Sequence, residues 1–506
     1  MKNSRLGGGV RFGWVVVVAF VALAGAVPGI AQTAVPGEAE ALREELRAMK
    51  AEYEQRIRQM EERLERLEAP AAVAAAPAPA AAAEPAPAES KAVTDVVDNF
   101  VDIHGYIRAG YGQNDRGSAQ TGFKAPGAGA KYRLGNEAET YGELILGKDV
   151  GLSGNRQGPV VRTQLRLSVN NPYQDQLNSD ETSFGLPEAW ASIANVMSAQ
   201  PGMAVWAGSR LYRRQAIDIN DYYYYNMSGT GGGVEDVELG FGKLALAWIG
   251  AGSSSGIRSA PEPDPENKAG FSKMSWDLRL YDVAMPLGKG ELGLAYSRAD
   301  GGVDELGQSA PDSDGVAVTF LHVREHLVSP DGANKFSLQF GTGAAKTFSS
   351  GFEYQVLDGA SYIRPDRPGS WRFRATEHFV ANLGDAFSIA PALVYELTDY
   401  DDESGNVHWA SAGVRPVWYF TRHLSLAAEA GVDWVKDEGA GTSDSLVKFT
   451  LAPQVAVGRG FASRPALRLY ATYARWGDDF VGQIGGHDYA NENDGFVYGI
   501  QMESWW

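Results

Sequence analysis

The chain has 506 residues with 60 glycines, no cysteine, 11% aromatics and a formal charge of −18. The acid excess speaks against a nucleic-acid partner, and the lack of cysteine removes disulfides and thiolate metal centres. Abundant glycine beside abundant aromatics suits many strands joined by turns and anchored at interfaces.

Residues 1–31 have a basic start at Lys2, Arg5 and Arg11, an apolar run from Trp14 to Val27, and small residues at Gly29 and Ala31. They read as a secretory signal cleaved after Ala31. Loss of its three basic residues takes the charge from −18 to −21. No later run of about 18 apolar residues exists, so a mature form that spans a bilayer must do so with strands.

Residues 38–68 carry Leu42, Leu46, Met49, Tyr53, Ile57, Met60, Leu64 and Leu67 at steps of three and four, with one phase slip between Tyr53 and Ile57. That is a coiled-coil stripe. Glu52 with Arg56, Glu54 with Arg58 and Glu62 with Arg66 add weak i,i+4 support. A lone helix of about 46 Å at 1.5 Å per residue is marginal in water, so the stripe calls for identical chains or another partner. Residues 69–98 are an Ala/Pro-rich linker, extended and semi-rigid, that separates the coiled coil from the C-terminal four-fifths of the chain.

From residue 99 onward alternation dominates. In VDIHGYIRAGYG, Val101, Ile103, Ile107, Ala109 and Tyr111 share one face, and Asp102, His104, Tyr106 and Arg108 share the other. The pattern recurs in TYGELILG, KFSLQFGTG, HLSLAAEAGVDWV, SLVKFTLAPQVAV and PALRLYATYARW. Each run is roughly ten residues, the span of a tilted membrane strand. Polar stretches at 253–270 and 300–315 are long enough to be extracellular loops. The 408 residues of 99–506, at about 22 per strand and connection, predict an all-β, antiparallel transmembrane barrel of near 18 strands. The ending GFVYGIQMESWW fits a closing strand, with Phe496, Tyr498, Ile500, Met502 and Trp506 facing lipid and Glu503 and Trp505 facing the lumen. A soluble β-sandwich is the weaker alternative.

Three motifs suggest other chemistry. GSSSG at 252–256 fits the serine-hydrolase elbow, but a Ser- and Pro-rich loop stands where a helix is required. HVREH at 322–326 fits a zinc-protease motif that needs a helix, yet its surroundings alternate like a strand. Asp399, Asp401, Asp402 and Glu403 crowd one segment, which reads as a solvated acidic loop before it reads as a calcium site.

The lumen parity instead gathers flat rings and charged groups. A sugar presents apolar C–H faces and a rim of hydroxyls, so rings and charged hydrogen-bonding groups suit it. Tyr106 with Arg108, Arg133 with Tyr141 and Glu143, and Trp505 with Glu503 fall on that side. The segment 208–233 concentrates Arg210, Arg213, Arg214, Asp218, Asp221 and Tyr222 to Tyr225 between flanking glycines, as one connection able to fold inward.

With VDIHGYIRAGYG, AKYRLGNEAETYGELILG, WAGSRLYRR to YYYYNMSGTGGG, VRPVWYF, SRPALRLYATYARW and IQMESWW, the chain resembles the maltoporin family of sugar-specific outer-membrane porins. The coiled coil and linker resemble the extension of the sucrose porins in that family. The resemblance implies a homotrimer of 18-stranded barrels, each narrowed by an inward loop and lined by an aromatic slide. It assigns the slide to Tyr106, Tyr141 and Trp505, with Tyr223 opposite at the constriction and Tyr173 reaching into a neighbouring channel. It assigns the polar rim to Arg108, Arg133, Glu143, Arg214 and Asp221. Four positions depart from the family pattern: Ala462 and Ala333 stand where slide aromatics are expected, Pro187 where a basic rim residue is expected, and Ala216 where an acidic one is. Phe461 adjoins Ala462.

The expected function is passive, saturable diffusion of sugars, with no reaction, cofactor or metal. The barrel would sit among outer-membrane lipid, with the extension in the periplasm and a cell-wall or periplasmic partner for the coiled coil. The rival readings are a nonselective general porin, an envelope tether and a barrel hydrolase acting through Ser254.

Overall fold

A computed structural model describes residues 101–506 apart from 138, 152–157, 173–181, 254–270, 304–308, 358–359 and 403–404. The signal, the coiled coil, the linker, Tyr173 and Ser254 lie outside the described residues.

Among the described residues, eighteen strands form one closed sheet in which every neighbouring pair is antiparallel. It runs from Asp102–Asn114 to Asp494–Trp505, and these two strands pair with each other to complete the circle. Closure leaves no open edge, so backbone groups of the wall are satisfied within the sheet and the wall can stand in hydrocarbon. No described helix is long and apolar enough to cross a membrane.

Both ends of the chain's barrel segment lie at the end with the short connections, including 239–242, 286–287, 384–386 and 420–423. The other end carries the long connections, among them 115–139, 211–228, 343–370 and 477–493.

The alternation of the sequence becomes two surfaces. In Ala466–Trp476, Leu467, Leu469 and Tyr473 are exposed outward, while Arg468, Tyr470, Thr472 and Trp476 are buried inward. In the closing strand Phe496, Tyr498 and Ile500 face out and Gln501 and Glu503 face in. Trp248, Trp276 and Tyr296 stand side by side on three adjacent strands and are exposed on the outer face, a segment of aromatic girdle. HVREH is strand through Glu325, with His326 at a turn with φ 57°; a strand does not supply the helical face that the zinc-protease motif needs.

The core lies inside the barrel, between the wall and the connections folded into it. One inward connection was expected, and more than one segment enters. In 115–139, Phe123, Tyr132, Leu134 and Arg133 are buried. The Leu134 amide donates to Glu429 (3.0 Å), and its carbonyl accepts from Lys448 (2.8 Å) and Thr450 (3.0 Å) on the wall. Tyr132 reaches the wall at Gly413 and Gly431, where an added Cβ would stand 2.1 Å from its ring, and its hydroxyl meets Ser411 at 3.0 Å. Phe348 and Lys346 of the connection 343–370 are buried as well, and the Asn226 amide donates to the Phe348 carbonyl (2.9 Å).

Gly208 and Gly229 to Gly233 are not part of the inward loop. They belong to the wall strands Ala204–Arg210 and Gly229–Glu238, and the connection proper is 211–228. The glycines serve close strand approach instead: a Cβ at Gly231 would lie 2.0 Å from the Trp248 carbonyl oxygen.

Candidate functional site

Tyr106, Trp505 and Tyr141 form a row across the seam that closes the barrel. Register places Tyr106 opposite Trp505 on one side and opposite Glu143 on the other. The Tyr106 and Trp505 rings are stacked, 6.4 Å apart with an 18° interplanar angle, and Tyr141 stands 6.1 Å from Tyr106. These rings remain partly accessible from the lumen.

Charged groups edge the row. Tyr106 donates to Glu503 (3.1 Å) and accepts from Arg133 (2.9 Å) and Arg108 (3.4 Å). Arg133 holds Glu137 with two nitrogens, at 3.0 and 3.2 Å, and reaches Glu503 at 3.3 Å. Arg108 pairs with Glu139 and, at 3.3 Å, with Glu137. Glu503 also accepts from Arg464 and Arg468, each at 2.9 Å. Tyr141 donates to Glu143 (2.7 Å), whose other oxygen meets Arg166.

The connection 211–228 is fixed inward by its own backbone and tyrosines. Tyr222 donates to Glu396 (2.7 Å) and Tyr225 to Asp277 (2.9 Å). Arg374 donates to the Tyr224 carbonyl (2.6 Å), and Arg279 to the Arg213 carbonyl (2.9 Å). These anchors are long-range and buried or part-buried, and they tie the loop to the wall at several points. It meets the other inward connection where the Arg133 amide donates to the Ile219 carbonyl at 3.0 Å.

Within that loop Tyr223 is the tyrosine left open, 43% exposed, while Tyr222, Tyr224 and Tyr225 are buried. Arg214 lies over its ring at 4.7 Å. Burial, with Asp221 beside it, raises the Tyr223 hydroxyl above its ordinary value against the pull of Arg214 and Arg133. It is therefore a protonated donor at neutral pH. Asp221 takes a left-handed conformation, φ 54°, ending the short turn Asp218–Asn220.

The structure thus brings Tyr106, Arg108, Arg133, Tyr141, Glu143 and Trp505 into one tract, and pairs Arg214 with Tyr223 on the loop. At the departures, Pro187 occupies a bulge between the Arg166 and Ser168 pairings, a place where a strand tolerates proline. Ala216 sits in the small strand Gln215–Ile217 and Ala333 at the start of Ala333–Thr342. Phe461 packs against the core and lies 5.7 Å from the Arg415 guanidinium, so a ring does reach the lumen beside Ala462.

Sequence reasoning passed over Arg166, Glu188, Arg464 and Arg468. Glu188 accepts from Arg166 (2.6 Å), Gln164 (2.8 Å), the Trp190 indole (3.2 Å) and the Leu211 amide (3.1 Å), joining the wall to the start of the inward loop. For Arg166, Glu188 and Arg468 the available signal was parity, since a charge in the middle of a membrane strand belongs to the lumen face; Arg464 lies in the connection before Ala466–Trp476, where parity has no meaning.

Three solved structures match most of the chain at low identity. OccAB1 of Acinetobacter baumannii is 12% identical with a TM-score of 0.42, covering 80% of this chain and 96% of that one. OpdK of Pseudomonas aeruginosa is 12% identical with a TM-score of 0.40, covering 81% and 100%. OccD3 of Pseudomonas aeruginosa is 10% identical with a TM-score of 0.41, covering 80% and 91%. The family model described as LamB porin matches residues 101–506. The closed strand wall, its apolar exterior and this match make the protein an outer-membrane channel, and the chain belongs to the LamB porin family.

Proposed function

We propose that the channel carries sugars, maltodextrins, sucrose or related oligosaccharides, by passive and saturable diffusion along the Trp505, Tyr106 and Tyr141 row. The observation that carries this reading is the row itself: three lumen rings in succession, edged by Arg108, Arg133 and Glu143. Rings meet the C–H faces of a pyranose and charged groups meet its hydroxyls, so a sugar keeps partners as it advances. Tyr223 and Arg214 supply a ring and a cation from the inward loop.

Weak contacts suit transport. A total near −4 kcal/mol corresponds to about millimolar affinity, enough for capture without trapping. The protein works as a homotrimer, Tyr173 extends the path from a neighbouring subunit, and the N-terminal extension projects into the periplasm. The test is ion current through the purified protein in a planar bilayer. Maltotriose or sucrose should block it saturably, and absence of block by any oligosaccharide would leave a general porin.

A further inference from the structure

A second lumen site lies beside the aromatic row. A cavity of about 510 Å³ is lined by Arg162, Arg166, Arg210, Arg213 and Arg214. Two carboxylates, Glu188 and Glu235, line it as well. Glu188 is already taken by Arg166, Gln164, Trp190 and a backbone amide. Glu235 accepts from Arg210 at 2.8 Å and lies 3.9 Å from Arg213. Arg162 faces Asp149 at 3.6 Å, a pair in which both side chains are more than half exposed and therefore solvent-screened. Five guanidiniums thus meet four carboxylates, Glu188 and Glu235 on the lining with Asp149 and Glu143 beyond it, an excess of one positive charge in a protein whose formal charge is −18. Local positive charge walled by protein concentrates the field on whatever occupies the space.

The cavity adjoins the aromatic tract at two points. Arg166 bonds Glu143, which holds Tyr141, and Arg214 lies over Tyr223. We infer that this cavity binds the oxyanion of a charged saccharide, a carboxylate or a phosphate ester, and that the channel takes acidic sugars in preference to neutral ones of equal size. Guanidinium forks match both oxyanions. With the anion in the cavity, the sugar ring is left toward Tyr223 and Tyr141, so one molecule uses both sites.

Current block through the purified full-length protein in planar bilayers tests this, with glucose, glucuronate, glucose 6-phosphate and inorganic phosphate as probes. At 0.1 M salt, glucuronate or glucose 6-phosphate should block at a concentration roughly tenfold below glucose, about 1.4 kcal/mol. The preference should shrink at 1 M salt, where the Debye length is about 3 Å. In Arg162→Gln with Arg213→Gln it should fall to within about twofold, while maltotriose block stays unchanged. Arg162→Gln alone, at a solvent-exposed side chain, should lose part of the preference and guards against a folding defect in the double variant. Equal block by glucose and the acidic sugars, or a preference that persists in both variants, would overturn the proposal. Inorganic phosphate blocking as well as glucose 6-phosphate would reduce the site to a simple anion site and overturn its saccharide part. Loss of maltotriose block in the wild-type protein would instead reject the neutral-sugar path and leave the acidic-sugar arms to decide this site.

Discussion

The Arg464 guanidinium lies over the Trp505 indole, 4.1 Å from the ring centroid. The same side chain donates to Glu503 at 2.9 Å, so it clamps the ring against the lumen wall and cannot drift from it. A cation over an aromatic face contributes about 0.5–2 kcal/mol. Arg464→Ala should raise the sugar concentration for half-block roughly three- to tenfold with ion conductance retained, and Arg464→Lys should recover part of the loss. Unchanged block in the alanine variant would show that Trp505 holds its place unaided.

Tyr223 supplies both a ring and a hydroxyl. Tyr223→Ala together with Trp505→Ala should weaken maltotriose block by roughly tenfold or more while leaving ion flow intact, since ring contacts of this kind each add about 0.5–1.5 kcal/mol. Tyr223→Phe keeps the ring and loses only the donor, so its effect should be the smaller. Titration of block with maltotriose separates the two variants.

Glu503 answers three arginines, Arg133, Arg464 and Arg468, and is 4% exposed. Removing one partner of a buried ionic cluster leaves uncompensated charge and costs about 3–5 kcal/mol. Glu503→Gln should therefore lower the urea midpoint for unfolding, and with it the temperature at which the folded electrophoretic band is lost. A variant as stable as the parent would mean that water reaches the cluster and screens it.

Acid should loosen the connection 343–370. Burial alone would raise the Glu353 carboxyl, but Arg372 at 2.6 Å and Lys346 override it and hold it at about 2, below the ordinary 4.5. A depressed carboxyl contributes stability that is present above pH 4.5 and lost as pH falls toward 2. Urea unfolding of the wild type should weaken across that window, whereas Glu353→Gln should be less stable at pH 6 and should lose less of its stability below 4.5, the other ion-paired carboxylates supplying what slope remains. Parallel pH curves for the two would remove Glu353 from the account.

Deletion of residues 32–91 should leave conductance and sugar block unchanged, because every group of the aromatic tract lies in the barrel. Envelope fractionation of the truncated protein then reads the extension by itself. Lost attachment with normal block assigns it to tethering, and lost block assigns it to assembly or delivery.

The wall was legible because a membrane strand declares itself twice: period two, and apolar residues on the outward parity. PALRLYATYARW fills Ala466–Trp476 with Leu467 and Leu469 out and Arg468 and Thr472 in, as its alternation states. The row of Tyr106, Tyr141 and Trp505 was legible from the same parity with the family resemblance. The filling of the lumen was not. Arg133 and Glu503 lie 370 positions apart in the chain, and no local pattern announces that pair. Nor, Arg133 apart, did the residues of 115–139 advertise that they turn inward, since Tyr132 finds its space only in the glycines of strands nearly 300 residues later. Phe461 was visible beside Ala462, but its direction depends on the turn that carries it.

The pairing of Tyr106 with Trp505 belongs to the seam between the first and last strands of the wall. A sheet that has made seventeen of its eighteen strand pairings, all but this seam, still has the two rings on opposite free edges. Completion of the row and closure of the barrel are therefore one event: Trp505 joins Tyr106 and Tyr141 only with the final hydrogen-bonded ladder, so the path proposed for sugars is whole only in a finished barrel.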